Sequence, residues 1–355
     1  MNIVILGLSI TSSWGNGHAT TYRALVRGLA DRGHTVLFLE RDMPWYSENR
    51  DLPNPPFGRT ALYENLDHLR AEWSDSVREA DLIVVGSYVP EGITVSDWVL
   101  ATAHGVTAFY DIDTPITLEF LANRRCAYLD PEQIPCFDLY LSFSGGPNLS
   151  VLERRYGARM AVPFYCSVDP ELYAPGGGAP RHDLGYMGTY SEDRQPMLDR
   201  LLLEPARRLP EARFVVAGSQ FPTGIAWPAN VERIEHLAPS DHRAFYAGQR
   251  FTLNITRAAM VASGYAPSVR LFEAAACGVP VISDWWEGLD TFLIPGEEIL
   301  VARSTEDVER YLRDLPPEVS AAIGARARAR VLAEHTAAHR AIALEGYVAT
   351  ARGLS

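Results

Sequence analysis

The first 40 residues read MNIVILGLSITSSWGNGHATTYRALVRGLADRGHTVLFLE and contain a complete strand–helix–strand unit. The apolar runs Ile3–Leu8 and Thr35–Glu40 each have the length of a buried strand. Between them, residues 18–32 place apolar side chains on one face at helical spacing, and Gly33 follows as a C-cap would. A helix that joins two strands in this way brings them parallel, which predicts an α/β fold.

The same alternation of short apolar strands and helical patterns continues along the chain. Further strands are predicted at Leu82–Val85, Val106–Tyr110, Leu139–Ser142, Met160–Pro163, Leu184–Met187, Phe214–Ala217, Val231–Glu235, Phe251–Ile255 and Val279–Ser283. The run APGGGAP at 174–180 is the best candidate for a linker. We therefore predict two Rossmann-like domains, residues 1–170 and 171–330, that face each other across a cleft. A C-terminal helix at 331–355 is expected to pack back toward the first domain.

Composition limits the classes of function. The 355 residues are 47% hydrophobic and 21% charged, which excludes disordered and fibrous proteins. Asp and Glu total 44 against 32 basic residues, and the net charge of −12 argues against nucleic-acid or anionic-membrane partners. All of the basic residues are arginines, so a Schiff-base lysine and a P-loop lysine are impossible. An anion must be held by arginine, by backbone N–H groups or by helix N-termini.

Cysteine usage and the first residues bear on the compartment. The four cysteines form no C-x-x-C pair, so neither a zinc site nor a redox dithiol is indicated, and reduced thiols are expected. No basic residue precedes the first apolar run, which is typical of a core strand and not of a signal peptide. We predict a cytoplasmic protein without a transmembrane segment. The sequence pattern specifies no oligomeric state.

The strongest chemical signal is PSVRLFEAAACGVP, residues 267–280. Ser268 is a suitable N-cap for a helix that Val269 and Arg270 open. The backbone N–H groups of that helix start, with Arg270, would bind a pyrophosphate. One turn further on, Glu273 is placed to accept both hydroxyls of a ribose. The alternative is a capped core helix in which Glu273 forms an ordinary salt bridge.

Residues 273–282, EAAACGVPVI, resemble the C-terminal donor-site motif of glycosyltransferases of the GT-B type, which have two Rossmann-like domains. Most retaining members carry a second glutamate eight residues earlier, where this chain has Tyr265. The wider pattern, from GYMGTY at 185–190 to PGEEIL at 295–300, is similar to group 1 glycosyltransferases grouped with the spore protein CgeB.

The resemblance implies an enzyme that moves a hexose from a nucleotide-diphosphate sugar to an unidentified acceptor, a small molecule or a glycan. The nucleotide sugar is a co-substrate, and no cofactor is expected. Because positive side chains can neutralise the departing diphosphate, no metal is required.

The resemblance also assigns residues of the second domain to the donor. The loop from Gly188 to Arg194, which includes Tyr190, would meet the diphosphate through Arg194. Backbone groups of His236 and Leu237 would hold the nucleobase. The structural alternatives are a solvated arginine at a helix start and a histidine without function.

In the first domain, Gly15, Asn16, Gly17 and His18 follow the first strand and open the first helix. They are consistent with a tight turn, for which glycine supplies unusual dihedral angles. In GT-B enzymes, however, this loop approaches the sugar and the acceptor. An imidazole titrates near neutral pH and suits a general base, so His18 is a catalytic candidate.

Asp111 and Asp113 follow the strand Val106–Tyr110 and form a D-x-D pattern. A metal site of the GT-A type is not the first choice, because the donor signals lie in the other half of the chain. We name Asp113 as the second catalytic candidate, which orients His18 or an acceptor hydroxyl. The alternative is a turn that caps the helix predicted at Ile116–Leu121.

Three further possibilities stay open. A nucleotide-sugar epimerase needs the same donor site without an acceptor pocket, and a non-catalytic GT-B binding or assembly protein needs neither His18 nor Asp113. A dehydrogenase is less favoured, because TSSWGNGH follows the first strand in place of G-x-G-x-x-G, although Glu40 ends the second strand as a ribose-binding acid would. A histidine base favours inversion whereas the segment around Glu273 resembles retaining enzymes, so the stereochemistry is also open.

Overall fold

A computed structural model describes residues 1–354 and shows two parallel β-sheets flanked by helices. The chain divides into two compact units. The first comprises residues 1–167 together with the chain from residue 337 onward, and the second comprises residues 168–336. The predicted α/β class with two Rossmann-like domains is confirmed.

The first unit is built on seven strands. They are β1 (Asn2–Gly7), β2 (Thr35–Arg41), β3 (Arg59–Tyr63), β4 (Leu82–Gly86), β5 (Val106–Asp111), β6 (Leu139–Ser142) and β7 (Ala161–Pro163). The helices between them are α1 (His18–Asp31), α2 (Pro44–Ser47), α3 (Leu66–Glu79), α4 (Gly92–Thr102), α5 (Thr114–Ala122) and α6 (Pro147–Tyr156), with a 3₁₀ helix at Pro131–Cys136. The spatial order is β3-β2-β1-β4-β5-β6-β7, so β1, β4 and β5 are adjacent.

The second unit is built on six strands. They are β8 (His182–Met187), β9 (Phe214–Ala217), β10 (Val231–Ile234), β11 (Gln249–Asn254), β12 (Val281–Ser283) and β13 (Leu300–Val301), in the spatial order β10-β9-β8-β11-β12-β13. Its helices are α7 (Gln195–Leu198), α8 (Glu204–Arg208), α9 (Pro239–Ala247), α10 (Ala258–Ser263), α11 (Val269–Ala276), α12 (Thr305–Asp314) and α13 (Pro317–Glu334). A π-helical turn, Asp199–Leu203, joins α7 to α8, and a 3₁₀ turn lies at Leu289–Thr291.

The degree of burial of a strand determines whether its sequence pattern predicts it. All five residues of β4 are buried, because helices cover both faces of a parallel sheet, and the strand is a continuous apolar run. The edge strand β3 buries only Tyr63 and carries polar residues, so its sequence gives no strand signal. The edge strand β13 is apolar but has only two residues, which is too short to give a strand pattern.

The last helix, α14 (Ala337–Leu354), belongs to the first unit and packs on α1. Gly28 in α1 permits the close approach, since an added Cβ would lie 2.8 Å from the carbonyl oxygen of Ala337. The Glu345 carboxylate accepts hydrogen bonds from Arg32 at 2.7 and 2.8 Å. These contacts attach the end of the chain to the helix that follows β1.

The glycine-rich run at 174–180 lies inside the second unit. The chain passes from the first unit to the second earlier, between Ser167 and Val168. The Arg243 guanidinium donates hydrogen bonds to the carbonyl oxygens of Ala174 at 3.1 Å and Pro175 at 2.9 Å. Composition predicted a linker here, but these long-range hydrogen bonds tie the start of the run to α9.

A fully buried carboxylate organises the loop between β1 and α1. Glu40 in β2 accepts hydrogen bonds from the backbone N–H groups of Ile10 at 2.7 Å and Thr11 at 3.0 Å. Its other oxygen accepts from the hydroxyls of Ser9 at 2.9 Å and Thr11 at 2.6 Å. Four donors offset the cost of burying the charge. The acid that a dehydrogenase would use on a ribose is therefore committed to the protein's own loop.

Replacing Glu40 tests this role. Glu40→Ala leaves four buried donors without an acceptor, and we expect the free energy of unfolding to fall by at least about 3 kcal/mol. Differential scanning calorimetry should show a lower melting temperature for the transition of the first unit. Glu64→Ala, which removes an exposed carboxylate just after β3, serves as the control. Equal melting temperatures for the two variants would contradict the assignment.

Candidate active site

Three arginines of the second unit come together where neighbouring parallel strands end. Arg194 follows β8, Arg257 follows β11, and Arg270 lies in the first turn of α11. Burial lowers the pKa of Arg194, and the nearby positive charges of Arg270 and Arg257 lower it further. We call these three residues the arginine cluster. Ligands bind beyond the carboxyl ends of strands in such sheets, so the arginine cluster lies where a ligand is expected.

Arg270 is buried and rigidly held. Its Nε donates to the carbonyl oxygen of Met187 at 2.6 Å, and its Nη1 donates to Oδ1 of Asn254 at 2.7 Å. The guanidinium also lies 5.0 Å from the centroid of the Tyr186 ring, at cation–π distance. The positive charge is thus fixed in place by groups of β8 and β11 before any ligand binds.

Each of the other two arginines has a donor atom that makes no hydrogen bond within the described residues. Arg194 donates from Nη2 to the carbonyl oxygen of Thr189 at 2.6 Å. The Nε atom of Arg257 is 4.0 Å from a carboxylate oxygen of Asp193. Within residues 1–354, the buried Nε atoms of Arg194 and Arg257 have no hydrogen-bond partner. A bound anion would supply acceptors and reduce the repulsion between the guanidinium groups.

The start of α11 differs in one detail from the prediction. Ser268 precedes the helix and Val269 opens it, as expected, but the Ser268 hydroxyl makes no capping hydrogen bond. It donates instead to Oδ1 of Asn254 at 2.8 Å, the same oxygen that Arg270 binds. The helix start therefore has no side-chain cap, and its orphan N–H groups suit an anion.

The loop after β8 packs closely on the arginine cluster. A Cβ at Gly188 would lie 2.9 Å from Nη2 of Arg270, so a side chain there would displace the guanidinium. Gly218, after β9, has φ +151° and lies so close to Gly188 that an added Cβ would be 2.0 Å from its carbonyl oxygen. Further along the loop, the Tyr190 ring meets Phe221 edge-on, with centroids 5.6 Å apart.

The predicted nucleobase region lies just after β10. His236 is exposed and Leu237 is half-buried. In β10, the Arg233 guanidinium lies close to two aromatic rings, 4.3 Å from the centroid of Phe221 and 4.1 Å from that of Trp227. Burial lowers the pKa of Arg233. No local sequence pattern indicates this cluster, because its three members are up to 12 residues apart and meet only in the folded unit.

Glu273 has an internal partner that is not the ordinary salt bridge of the alternative interpretation. Its side chain is 3% exposed, and its Oε2 accepts a hydrogen bond from the Tyr246 hydroxyl at 3.0 Å. Nδ1 of His242 is 3.9 Å from the same oxygen. Both partners lie in α9, so Glu273 links α11 to α9. Its predicted contact with a ribose stays a prediction.

In the first unit, the structure brings the two catalytic candidates together. Nε2 of His18 is 3.9 Å from Oδ2 of Asp113, and both side chains are partly exposed, at 14% and 19%. Because 3.9 Å is longer than a hydrogen bond, the two side chains are close but not hydrogen-bonded to each other. His18 comes from the loop after β1 and Asp113 from the loop after β5.

The turn before His18 is held by Asn16. Its Oδ1 accepts the backbone N–H of His18 at 3.0 Å, and its Nδ2 donates to the carbonyl oxygens of Ser9 at 3.4 Å and Ser12 at 3.1 Å. Gly15 has φ +59°, and Gly17 directly precedes α1. Buried Asn16 therefore has a structural role in this turn, which orients the imidazole at the helix start.

The two carboxylates of the D-x-D pattern have different environments. Asp111 is fully buried and accepts hydrogen bonds from the hydroxyls of Tyr140 at 2.6 Å and Thr117 at 2.7 Å and from the backbone N–H of Asp113 at 3.2 Å. Burial raises the pKa of Asp111 to about 6. Across the described chain, no group of three or more His, Cys, Asp or Glu side chains is arranged to hold a metal ion.

These features together define a class. Two all-parallel Rossmann-like units are the architecture of the GT-B glycosyltransferases, and the chain has that fold. Residues 194–346 match a family model described as glycosyl transferase-like. That segment includes the whole arginine cluster. No curated protein matches the sequence.

Solved structures match along the whole chain. HepE of Anabaena, in complex with UDP and glucose, matches with a TM-score of 0.73 and 14% identity over 99% of this chain and 100% of its own. A sucrose-phosphate synthase of Thermosynechococcus elongatus has a TM-score of 0.70 and 15% identity over 100% of both chains. An alpha-glucosyltransferase in complex with UDP and DNA has a TM-score of 0.70 and 12% identity over 98% of this chain and 99% of its own.

Three further residues of the two sites carry no recognisable sequence motif. Asn254 is the last residue of β11, Arg257 follows that strand, and Tyr88 follows β4 and donates a hydrogen bond to Asp113. All three lie at or just beyond the carboxyl end of a predicted strand. Because ligands bind near the carboxyl ends of parallel strands, the position of these residues relative to the predicted strands makes them candidates. Among residues 1–354, no helix is both long enough and apolar enough to cross a membrane.

The raised pKa of Asp111 predicts how stability depends on pH. The folded state holds a proton up to pH about 6, whereas an unfolded aspartate releases it near the ordinary value of 3.8. The folded form therefore binds more protons in this interval, and this contribution to stability is complete below pH 4 and lost as the pH rises through 6. At about 1.4 kcal/mol per pKa unit, the loss is on the order of 3 kcal/mol.

We expect the Asp111→Asn variant to lack this contribution. The difference between the unfolding free energies of wild type and variant should shrink between pH 4 and pH 7, when measured by urea denaturation. Asp75→Asn, at an exposed aspartate, is the control and should follow the wild type at every pH. Parallel curves for wild type and Asp111→Asn would overturn the prediction.

Proposed function

We propose that this protein is a glycosyltransferase that transfers a sugar from a nucleoside-diphosphate sugar to a hydroxyl group of an acceptor. The observation that carries the proposal is the arginine cluster at the uncapped start of α11, inside a segment that matches a glycosyl transferase-like family model. Guanidinium groups and helix N–H groups are the usual partners of phosphate oxygens.

The arginine cluster would act mainly on the leaving group. As the bond from the sugar to the diphosphate breaks, negative charge grows on the phosphate oxygens. Arg270 is fixed by Met187 and Asn254, so its charge needs no rearrangement at that moment. Arg194 and Arg257 supply further positive charge, and the proposal therefore includes activity without a divalent cation.

The nucleoside would bind next to the diphosphate. We assign the ribose to Glu273 and the base to the backbone of His236 and Leu237, with Gly188 and Tyr190 in the adjoining loop. Because HepE and the alpha-glucosyltransferase are in complex with UDP, a UDP-sugar is the first donor to test, and glucose the first hexose.

The acceptor would be activated by the first unit. His18 and Asp113 form a pair of proton-accepting groups 3.9 Å apart, and one of them would remove the proton from the acceptor hydroxyl. The net charge of −12 favours a small molecule or a glycan over a nucleic acid, although a similar structure contains DNA. Membership of the CgeB-like subgroup and a cytoplasmic location stay predictions.

Donor binding gives the first test. Isothermal titration calorimetry in EDTA with UDP, GDP, dTDP, CDP and NAD should show binding of a nucleoside diphosphate and none of NAD. Arg257→Ala should weaken that binding by about 10- to 100-fold, because a hydrogen bond to a charged group contributes about 1.5–3 kcal/mol.

Two variants complete this experiment. Arg270→Ala should weaken binding at least as much, and Arg200→Ala, at an exposed arginine of the π-helical turn, should leave it unchanged. If no nucleoside diphosphate binds, or if Arg257→Ala and Arg200→Ala bind it equally well, the donor site is misassigned.

Proton transfer gives the second test. His18→Ala and Asp113→Asn should lower kcat for sugar transfer by about 10²- to 10⁴-fold at whichever position acts as the base, while the Kd for the nucleoside diphosphate stays constant. His104→Ala, at an exposed histidine, is the control. Product analysis by NMR spectroscopy distinguishes the competing classes. Conversion of the donor sugar to an isomeric sugar without an acceptor indicates an epimerase, and donor binding with no product under any condition indicates a binding protein.

A further inference from the structure

Tyr88 lies between the two catalytic candidates. It follows β4, and β4 is the middle strand between β1, which leads to His18, and β5, which leads to Asp113. Tyr88 has φ +63°, a left-handed conformation that is costly for a residue with a bulky side chain. Such conformations persist only where surrounding contacts hold them, and they are concentrated at functional sites.

The contacts of Tyr88 involve both members of the pair. Its hydroxyl donates a hydrogen bond to Oδ2 of Asp113 at 3.2 Å, and this is the oxygen that lies 3.9 Å from Nε2 of His18. Its ring centroid is 5.4 Å from that of the His18 imidazole. Burial, and then the charge of Asp113, raise the pKa of Tyr88 well above its usual value, so the hydroxyl keeps its proton and acts as a donor.

Tyr88 is itself held by Tyr128 and by the hydrogen bond that Tyr128 makes. Its ring packs on Tyr128 with centroids 4.5 Å apart, and the Tyr128 hydroxyl is hydrogen-bonded to Thr117 at 2.8 Å. Thr117 in turn donates to Asp111, the carboxylate that also accepts the backbone N–H of Asp113. The side chain of Asp113 is therefore held by Tyr88, and its backbone is held by the network on which Tyr88 rests.

We infer that Tyr88 is the positioning residue of the His18–Asp113 pair. Its hydroxyl holds Oδ2 of Asp113 toward the imidazole, and its ring limits the movement of His18, so the spacing of the two groups is set before an acceptor binds. The inference rests on the proposed function, since His18 and Asp113 are the proton-transfer groups of that reaction. In this role Tyr88 acts through His18 and Asp113.

The experiment removes one oxygen atom. Tyr88→Phe keeps the ring and deletes the hydroxyl, and we expect kcat to fall about 10- to 100-fold with KM for the donor unchanged. Tyr63→Phe is the control, because Tyr63 is a buried tyrosine of the same unit whose hydroxyl has no hydrogen-bond partner in the described structure. The control should keep the wild-type kcat.

A double-mutant cycle separates positioning from general stability. In an Asp113→Ala background, the Tyr88 hydroxyl has no carboxylate to hold, so adding Tyr88→Phe should lower kcat no further. A wild-type kcat for Tyr88→Phe, or an equal fall in both backgrounds, would overturn the inference.

A second readout does not depend on activity. The imidazole resonances of His18, assigned by their loss in His18→Ala, should shift in the NMR spectrum of Tyr88→Phe and stay in place in Tyr63→Phe. If they shift while no sugar transfer is found with any donor, the positioning contact holds and the proposed function fails. If they do not shift, the positioning contact is wrong, whatever the activity.

Discussion

The parallel pairing of every strand is the constraint on which the rest of the structure depends. In a parallel sheet, all carboxyl ends lie along one edge, so each strand delivers the loop that follows it to the same place. The first unit uses this at β1, β4 and β5, which supply His18, Tyr88 and Asp113 from three adjacent strands. The second unit uses it at β8 and β11, which supply Arg194 and Arg257. Residues far apart in the chain thus become neighbours because strand order brings their loops together.

Charge inside each unit is held by hydrogen bonds that come from the protein itself. Glu40 accepts from backbone N–H groups and hydroxyls, and its charge fixes the loop after β1. Asp111 accepts from hydroxyls and one N–H group and has a raised pKa. Arg270 is fixed through a carbonyl oxygen and Asn254. Arg194 and Arg257 differ, because within the described residues the Nε atom of each has no acceptor. Under the proposed function, these two donor atoms are available to the diphosphate.

Local sequence patterns predicted what depends on local physics. The central strands β1 and β4 are continuous apolar runs, and Arg270 opens a helix whose start was readable from its flanking residues. Features that depend on distant partners could not be predicted in this way. The Ser268 hydroxyl binds Asn254 and leaves the helix uncapped, a choice that requires β11 to lie beside α11. The pairing of His18 with Asp113 was proposed, but the tyrosine that holds them is apparent only once β4 is known to lie between β1 and β5.

The return of α14 to the first unit has a consequence for how the protein is made. This helix places Ala341, Leu344 and Val348 in the core against a unit whose other residues end at Ser167. During synthesis, the second unit is complete in sequence before that helix leaves the ribosome. Until the whole second unit has been synthesised, the first unit therefore lacks the helix that covers part of its apolar surface. The unit whose synthesis begins first is therefore the last to have all of its residues available for folding.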